Sequence, residues 1–289
     1  MPSLKEVKTK IVGVKKTAQI TKAMNMVASA KLRGAQEKME AFRPYTAKFN
    51  EAMSNLSGRS SAGGSFPLME KRQVQSVELV VITSDRGLCG SFNSNIGKLA
   101  EIKMREFEAE GKTVSFVCIG KKGFQILKKT GKVRKTFTDI MGTFQMFNAR
   151  EIAIEVSQNF LAGGSDKVEV LFGEFQSVAR QVAASKDFLP VQPIEASEGD
   201  TKVSGEYIYE PSAEEIMDVL QPLYLNVMIY HAMLEVGASE HAARMTAMDN
   251  ATNACKDIIT NLTILYNKAR QAAITAELMD IVGGAEALK

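Results

Sequence analysis

The chain has 289 residues, 45% hydrophobic and 24% charged, which suits one large or two modest globular domains and excludes wholesale disorder, a collagen-like repeat or a disulfide-dense secreted scaffold. The net charge of +3 is small but unevenly spread. Residues 1–33 hold eight Lys/Arg against Glu6 alone, whereas from Ser212 onward five basic residues face ten acidic ones, so the two ends carry opposite signs.

From Leu4 an apolar or small residue recurs at alternating steps of three and four: Leu4, Val7, Ile11, Val14, Ala18, Thr21, Asn25, Ala28, Leu32, Ala35, Met39, Phe42, Thr46, Phe49, Met53, Leu56. This is a heptad seam, opened by a capping box at Ser3 and Glu6 and stopped by the Ser/Gly-rich run at 57–65. A helix of that span is about 80 Å long. Between residues 77 and 175 the texture changes. VELVVIT (77–83), TVSFVCIG (113–120) and KVEVLFGEF (167–175) are β-branched apolar runs, alternating with helical stretches around 94–110, 121–130 and 148–162. That alternation predicts βαβ units and a largely parallel sheet.

A second capping box at Ser212 and Glu215 starts a second long helix, with a seam through His241, Met245, Met248, Thr252, Cys255, Ile259, Leu262, Tyr266, Ala269 and Ala273. Pro222 allows at most a bend in it. The predicted fold is therefore α/β: a long antiparallel coiled coil of N- and C-terminal helices with an inserted Rossmann-like α/β domain. Its segments are the first helix (1–57), a linker (58–76), the α/β domain (77–211) and the last helix (212–289).

Conventional chemistry finds little support. TSDRGLCG (83–90) places a glycine turn between strand and helix, where doubly wound folds bind phosphates, but G-x-G-x-x-G is absent and no P-loop is present. Tight strand-to-helix packing is the preferred role for Gly87 and Gly90. Cys89 lacks a neighbouring base, and His231 and His241 are read as packing residues rather than metal ligands. Three widely spaced cysteines suit a reducing compartment, and the N-terminus lacks the hydrophobic run of a signal peptide, so a cytosolic, unprocessed chain is expected. No catalytic residue, cofactor site or metal site is predicted. Nucleic-acid binding by the basic first helix is disfavoured because residues 1–41 contain no aromatic side chain for stacking.

Two departures from the heptads are more informative. In the first helix Ile20, Met24 and Val27 form a second apolar stripe off the seam; in the last, Ile274, Leu278, Ile281 and Ala285 replace the earlier stripe after Ala273. If both helices start level at one base, the first covers the second only to about Tyr266. The apolar set Ile274, Leu278, Met279, Ile281, Val282 and Leu288 then has no intrachain cover, so a sleeve of other proteins is expected around it.

The runs ITKAMNMVASAKLRGAQ (20–36), TSDRGLCG (83–90), EYIYEP (206–211), ASEHAARMTAMDNAT (238–252) and YNKARQAAITAELMDIVGGA (266–285) resemble the gamma subunit of the F-type ATP synthase, over nearly the whole chain. Ser29 and Ala30 stand in reversed order from the commoner pattern, and Gly34 replaces a usually larger residue. The resemblance implies a non-catalytic rotor shaft of the bacterial enzyme, peripheral on the cytoplasmic face of the cell membrane. Its partners would be three alpha and three beta subunits, the epsilon subunit and the c-ring, coupling ion-driven rotation to ATP synthesis. It further implies that Lys22 and Met24 face a beta subunit, and that Arg270, Gln271, Thr275 and Glu277 are coupling contacts. Ile274, Leu278, Ile281 and Val282 would form the sleeved tip, and Tyr207, Tyr209 and Glu210 part of the foot. The inserted thiol pair of the plastid members is missing, so no thiol regulation is expected.

Overall fold

The computed structural model describes residues 3–57, 66–192, 210 and 212–286. Two compact units emerge, one of residues 1–29 with 244–289 and one of residues 30–243. The long helices α1 (Leu4–Ser57) and α5 (Ala213–Glu286) contribute to both. Helix α1 begins on a complete capping box: the Ser3 N–H donates to Glu6 Oε2 (3.1 Å) and the Glu6 N–H donates to Ser3 Oγ (3.3 Å). At the start of α5 the Glu215 N–H donates to Ser212 Oγ at 3.2 Å. Pro44 and Pro222 lie inside these helices, each removing one backbone donor without ending the helix.

In the first unit the α1 seam from Leu4 to Ala28 and the α5 seam from Met245 to Ala273 are buried or partly buried, and their neighbours are mostly exposed. The hydroxyls of Thr21 and Thr252 meet at 2.8 Å, and Asn25 Nδ2 donates to the Met245 carbonyl at 2.8 Å. Moving up α1 therefore means moving down α5, as an antiparallel pair requires. Counting outward from the threonine pair, Leu4 falls level with Ala269, and partial burial on α5 persists to Ala273 rather than stopping near Tyr266. The expected end of cover came too early because it placed the two helix bases level, whereas the side-chain pairing offsets them by about one turn.

In the second unit the same two helices meet through aromatic rings, Phe42 on Tyr230 (centroids 4.9 Å apart) and Phe49 on Tyr224 (6.4 Å). The unit is built on a five-stranded sheet of order β3-β2-β1-β4-β5: β1 (Ser76–Ile82), β2 (Thr113–Ile119), β3 (Val133–Phe137), β4 (Lys167–Phe175) and β5 (Gln181–Leu189). The first four are mutually parallel and β5 runs antiparallel to β4. Strands β1, β2 and β4 match the apolar runs because they are the central, buried ones. Strands β3 (VRKTF) and β5 (QVAASKDFL) escape sequence reading because they are mostly half-exposed and carry charged residues. Helices α2 (Phe92–Ala109), α3 (Lys121–Leu127) and α4 (Met146–Leu161) complete the domain, and residues 128–130 form a 3₁₀ turn rather than continuing α3. Phe116, Phe160 and Phe172 are the largest fully buried side chains. One of several buried carboxylates lies on β1. Glu78 is fully buried, takes a hydrogen bond from Arg134 Nε at 2.7 Å, and is held above the usual carboxylate range by desolvation that Arg134 only partly offsets.

Candidate partner-binding surface

The glycine turn after β1 has the position of a phosphate-binding loop but different chemistry. Asp85 gathers backbone donors from two other loops: the N–H groups of Lys121 and Asp139 reach its Oδ1 at 3.0 Å each, and that of Met141 reaches its Oδ2 at 3.1 Å. Lys121 Nζ also pairs with Asp139 at 2.7 Å. Gly90 has φ +58°, so it serves the turn's geometry, and an added Cβ at Gly87 would make only ordinary contact with Lys122. Packing therefore does not require a glycine at position 87. The crevice at the C-terminal ends of β1 and β4, where chain order reverses and doubly wound folds bind ligands, is occupied by α5, whose residues Ala232–Ala242 are buried without interruption.

The cysteines and histidines are absorbed into packing. Cys89 accepts a hydrogen bond from Asn93 Nδ2 at 3.1 Å, and burial pushes the Cys118 thiol up to about 12. His231 lies 3.7 Å from Glu235, and His241 3.5 Å from Glu240. Burial, reinforced by Lys186 and Arg43, lowers the His231 pKa, so it is neutral at physiological pH. Among the described residues no cluster of His, Cys, Asp or Glu is arranged to hold a metal, and no helix is long and apolar enough to cross a membrane.

The surface with unfulfilled contacts lies in the first unit. Beyond Ala273 every described side chain of α5 is exposed, including Ile274, Leu278 (56%), Met279, Ile281 (68%) and Val282. The stripe that replaces the seam there does not pack on α1, so it is no local shift of the seam between the two helices. Arg270, Gln271, Thr275 and Glu277 are exposed on the same stretch, and Thr275 Oγ1 donates to the Gln271 carbonyl at 3.0 Å. On α1, Lys22 is exposed and Met24 half-buried, between exposed Ile20 (60%) and Val27. Lys22 and Met24 flank the Thr21–Thr252 contact, whereas Arg270 to Glu277 lie at or past the level of Leu4, so the two groups form separate stretches of the surface. Glu210 is exposed, while Tyr207 and Tyr209 lie outside the described residues.

Sequence reasoning missed a further apolar stripe on α5. Ile258, Leu265, Ala272 and Met279 repeat every seven residues off the seam, and all four are exposed. Their spacing was a usable signal, hidden by the stronger seam beside it.

A family model described as ATP synthase matches residues 3–288. The ATP synthase gamma chain of Desulfotalea psychrophila is 68% identical over the full length of both chains, and that of Nitratidesulfovibrio vulgaris is 50% identical over the full length of both. Among solved structures, a central stalk and c-ring chain of the Tetrahymena thermophila mitochondrial ATP synthase matches with TM-score 0.60 and 28% identity, over 80% of this chain and 99% of that one. A rotor chain of the Euglena gracilis enzyme shares the fold, with TM-score 0.67 and 21% identity over 94% of this chain and 98% of that one. With its paired long helices, sheet topology and sequence in agreement, the chain belongs to the ATP synthase gamma chain family.

Proposed function

We propose that this chain is the central shaft of an F-type ATP synthase, turning inside a ring of three alpha and three beta subunits and standing, with the epsilon subunit, on the membrane c-ring. The observation that carries this reading is the bare tip of α5: twelve consecutive residues after Ala273 are exposed and hold five large apolar side chains. A helix with that surface is an aggregation liability in water and a natural insert for an apolar sleeve. The basic first helix suits an acidic surface on the beta subunit, with Lys22 and Met24 at the contact. Arg270, Gln271, Thr275 and Glu277 are the coupling contacts near the tip, and Tyr207, Tyr209 and Glu210 belong to the foot.

The chain performs no bond chemistry itself and needs no cofactor, metal or nucleic acid. Its unlike faces contact the three nucleotide sites differently at each angle, and a ligand shifts an equilibrium only through such differential contact. Ion-driven rotation thus drives ATP synthesis, and ATP hydrolysis drives the reverse rotation. Assembled this way, the protein is peripheral, at the cytoplasmic face of a bacterial membrane.

Reconstitution tests the proposal. The full chain should co-purify once per three alpha and three beta subunits, and removal of residues 274–289 should abolish or strongly reduce ATP-driven ion pumping. A truncated complex that pumps at the full rate per ATP hydrolysed overturns it.

A further inference from the structure

Strand β4 pairs with β1 only as far as Leu171, opposite Val81. Beyond that point the β1-facing edge of β4 would leave backbone groups open, and buried backbone groups need partners. Helix α5 supplies them. Ser239 Oγ donates to the Gly173 carbonyl at 3.0 Å, and the Phe175 N–H donates to Glu235 Oε2 at 2.8 Å. The spacings agree: four residues of helix rise about 6 Å, and two residues of strand advance about 6.6 Å. Both α5 residues are buried, Ser239 completely.

Two aromatic rings complete the enclosure. A Cβ on Gly237, between the two hydrogen-bonding residues, would lie 2.3 Å from Phe144 Cζ; a Cβ on Gly173 would lie 2.2 Å from Phe92 Cε2. Phe144 is itself held at φ +48°, a conformation that costs energy in a bulky residue unless its surroundings enforce it. Phe92 opens α2 after β1, and Phe144 precedes α4 after β3, so these rings come from the C-terminal ends of two parallel strands. Around Glu235 stand His231 on its own helix, Arg43 from α1, Glu174 of β4 and Lys186 of β5.

We infer that the ligand crevice of this doubly wound sheet serves as a socket for α5, in which Glu235, Gly237 and Ser239 are positioning residues that stop the shaft helix from turning or sliding against the α/β domain. The inference rests on the shaft reading, because a helix that transmits rotation must be fixed to the domain that is turned. Two side chains continuing a strand ladder resist sliding along the strand, and a ring seated over a glycine resists rotation about the helix axis.

The test uses the full chain, alone and in the reconstituted complex, with three variants. In Glu235→Ala/Ser239→Ala the amide of Phe175 should lose about tenfold in hydrogen-exchange protection, the scale of one buried hydrogen bond. Glu235→Gln, which keeps the acceptor, should retain that protection. In the complex, the ratio of ions pumped to ATP hydrolysed should fall several-fold for the double variant and stay at the wild-type value for Glu235→Gln. Wild-type coupling in the double variant despite lost protection overturns the socket; so does a Glu235→Gln chain that folds and assembles but uncouples as badly as the alanine variant. If the double variant does not assemble, Glu235→Ala alone, which removes the acceptor of the Phe175 amide, carries the same two readings. Truncation of residues 274–289 in parallel separates the two ideas: uncoupling by truncation alone leaves the shaft reading standing without the socket, and coupling unaffected by truncation removes the shaft reading itself.

Discussion

Helix α5 has two stretches of nearly equal length and opposite fate. Residues 232–242 are buried in every direction, and residues 274–285 are exposed in every direction. Both are rich in alanine and aliphatic side chains, so hydrophobic content does not distinguish them. What differs is the neighbour each has within the chain: the first has the end of β4, the Phe144 ring and α1, the second nothing beyond the end of α1. A helix apolar all round belongs inside something, and here the same chain provides the inside for one stretch and leaves the other to be covered from elsewhere.

The comparison can be broken most forcefully with a charge at each end. Val236→Asp places an unpaired carboxylate in a fully buried site, which costs several kcal/mol or abolishes folding; thermal unfolding by circular dichroism measures it. Ile281→Asp should leave the melting temperature of the isolated chain unchanged and instead prevent stable assembly with alpha and beta subunits, read by size-exclusion chromatography. If Ile281→Asp assembles and couples normally, the tip is not sleeved.

A smaller contrast uses glycine. Gly237→Ala forces a methyl into the Phe144 ring and should cost about 1–3 kcal/mol. Gly283→Ala meets no neighbour and should raise local helicity by the propensity difference, about 1 kcal/mol, seen as slower amide exchange in the last turns. The seam between the two stretches gives a third test. Thr21→Val alone leaves the Thr252 hydroxyl without its cross-helix partner and should cost about 1 kcal/mol, whereas the double replacement with Thr252→Val should recover most of that in a denaturation cycle. The smallest effect concerns pH. The folded-state pKa of His231 lies below its ordinary value of 6.5, so between the two values the unfolded chain binds more protons and stability falls as the pH drops below 6.5. His231→Asn should flatten that part of the stability curve, measured by urea unfolding from pH 5 to 7.5.

What was legible in the sequence follows from the range of the forces involved. The α1 seam from Leu4 to Leu56 and both capping boxes are local patterns, and the structure buries or partly buries the seam and forms the caps. Central strands were visible because burial on both faces writes continuous apolar runs; β3 and β5, at the sheet's edges, carry no such run. The offset between the helices escaped because it depends on which side chains meet across the pair, as Thr21 and Thr252 do. Of the candidate surface, Ile274, Leu278, Ile281 and Val282 were readable as a broken heptad. The Ile258–Met279 stripe was masked by the seam, and the seating of α5 on β4 was invisible, since nothing local to Glu235 or Ser239 announces a strand end distant in sequence.

Asp85 ties together the loops at one end of the sheet. Loops of this geometry in other sheets commonly point their amides at a phosphate from a small metabolite, and their rigidity then varies with its concentration. Here three such amides close on a carboxylate that the polypeptide itself carries. The brace belongs to the chain, so it holds these loops together without drawing on a small molecule.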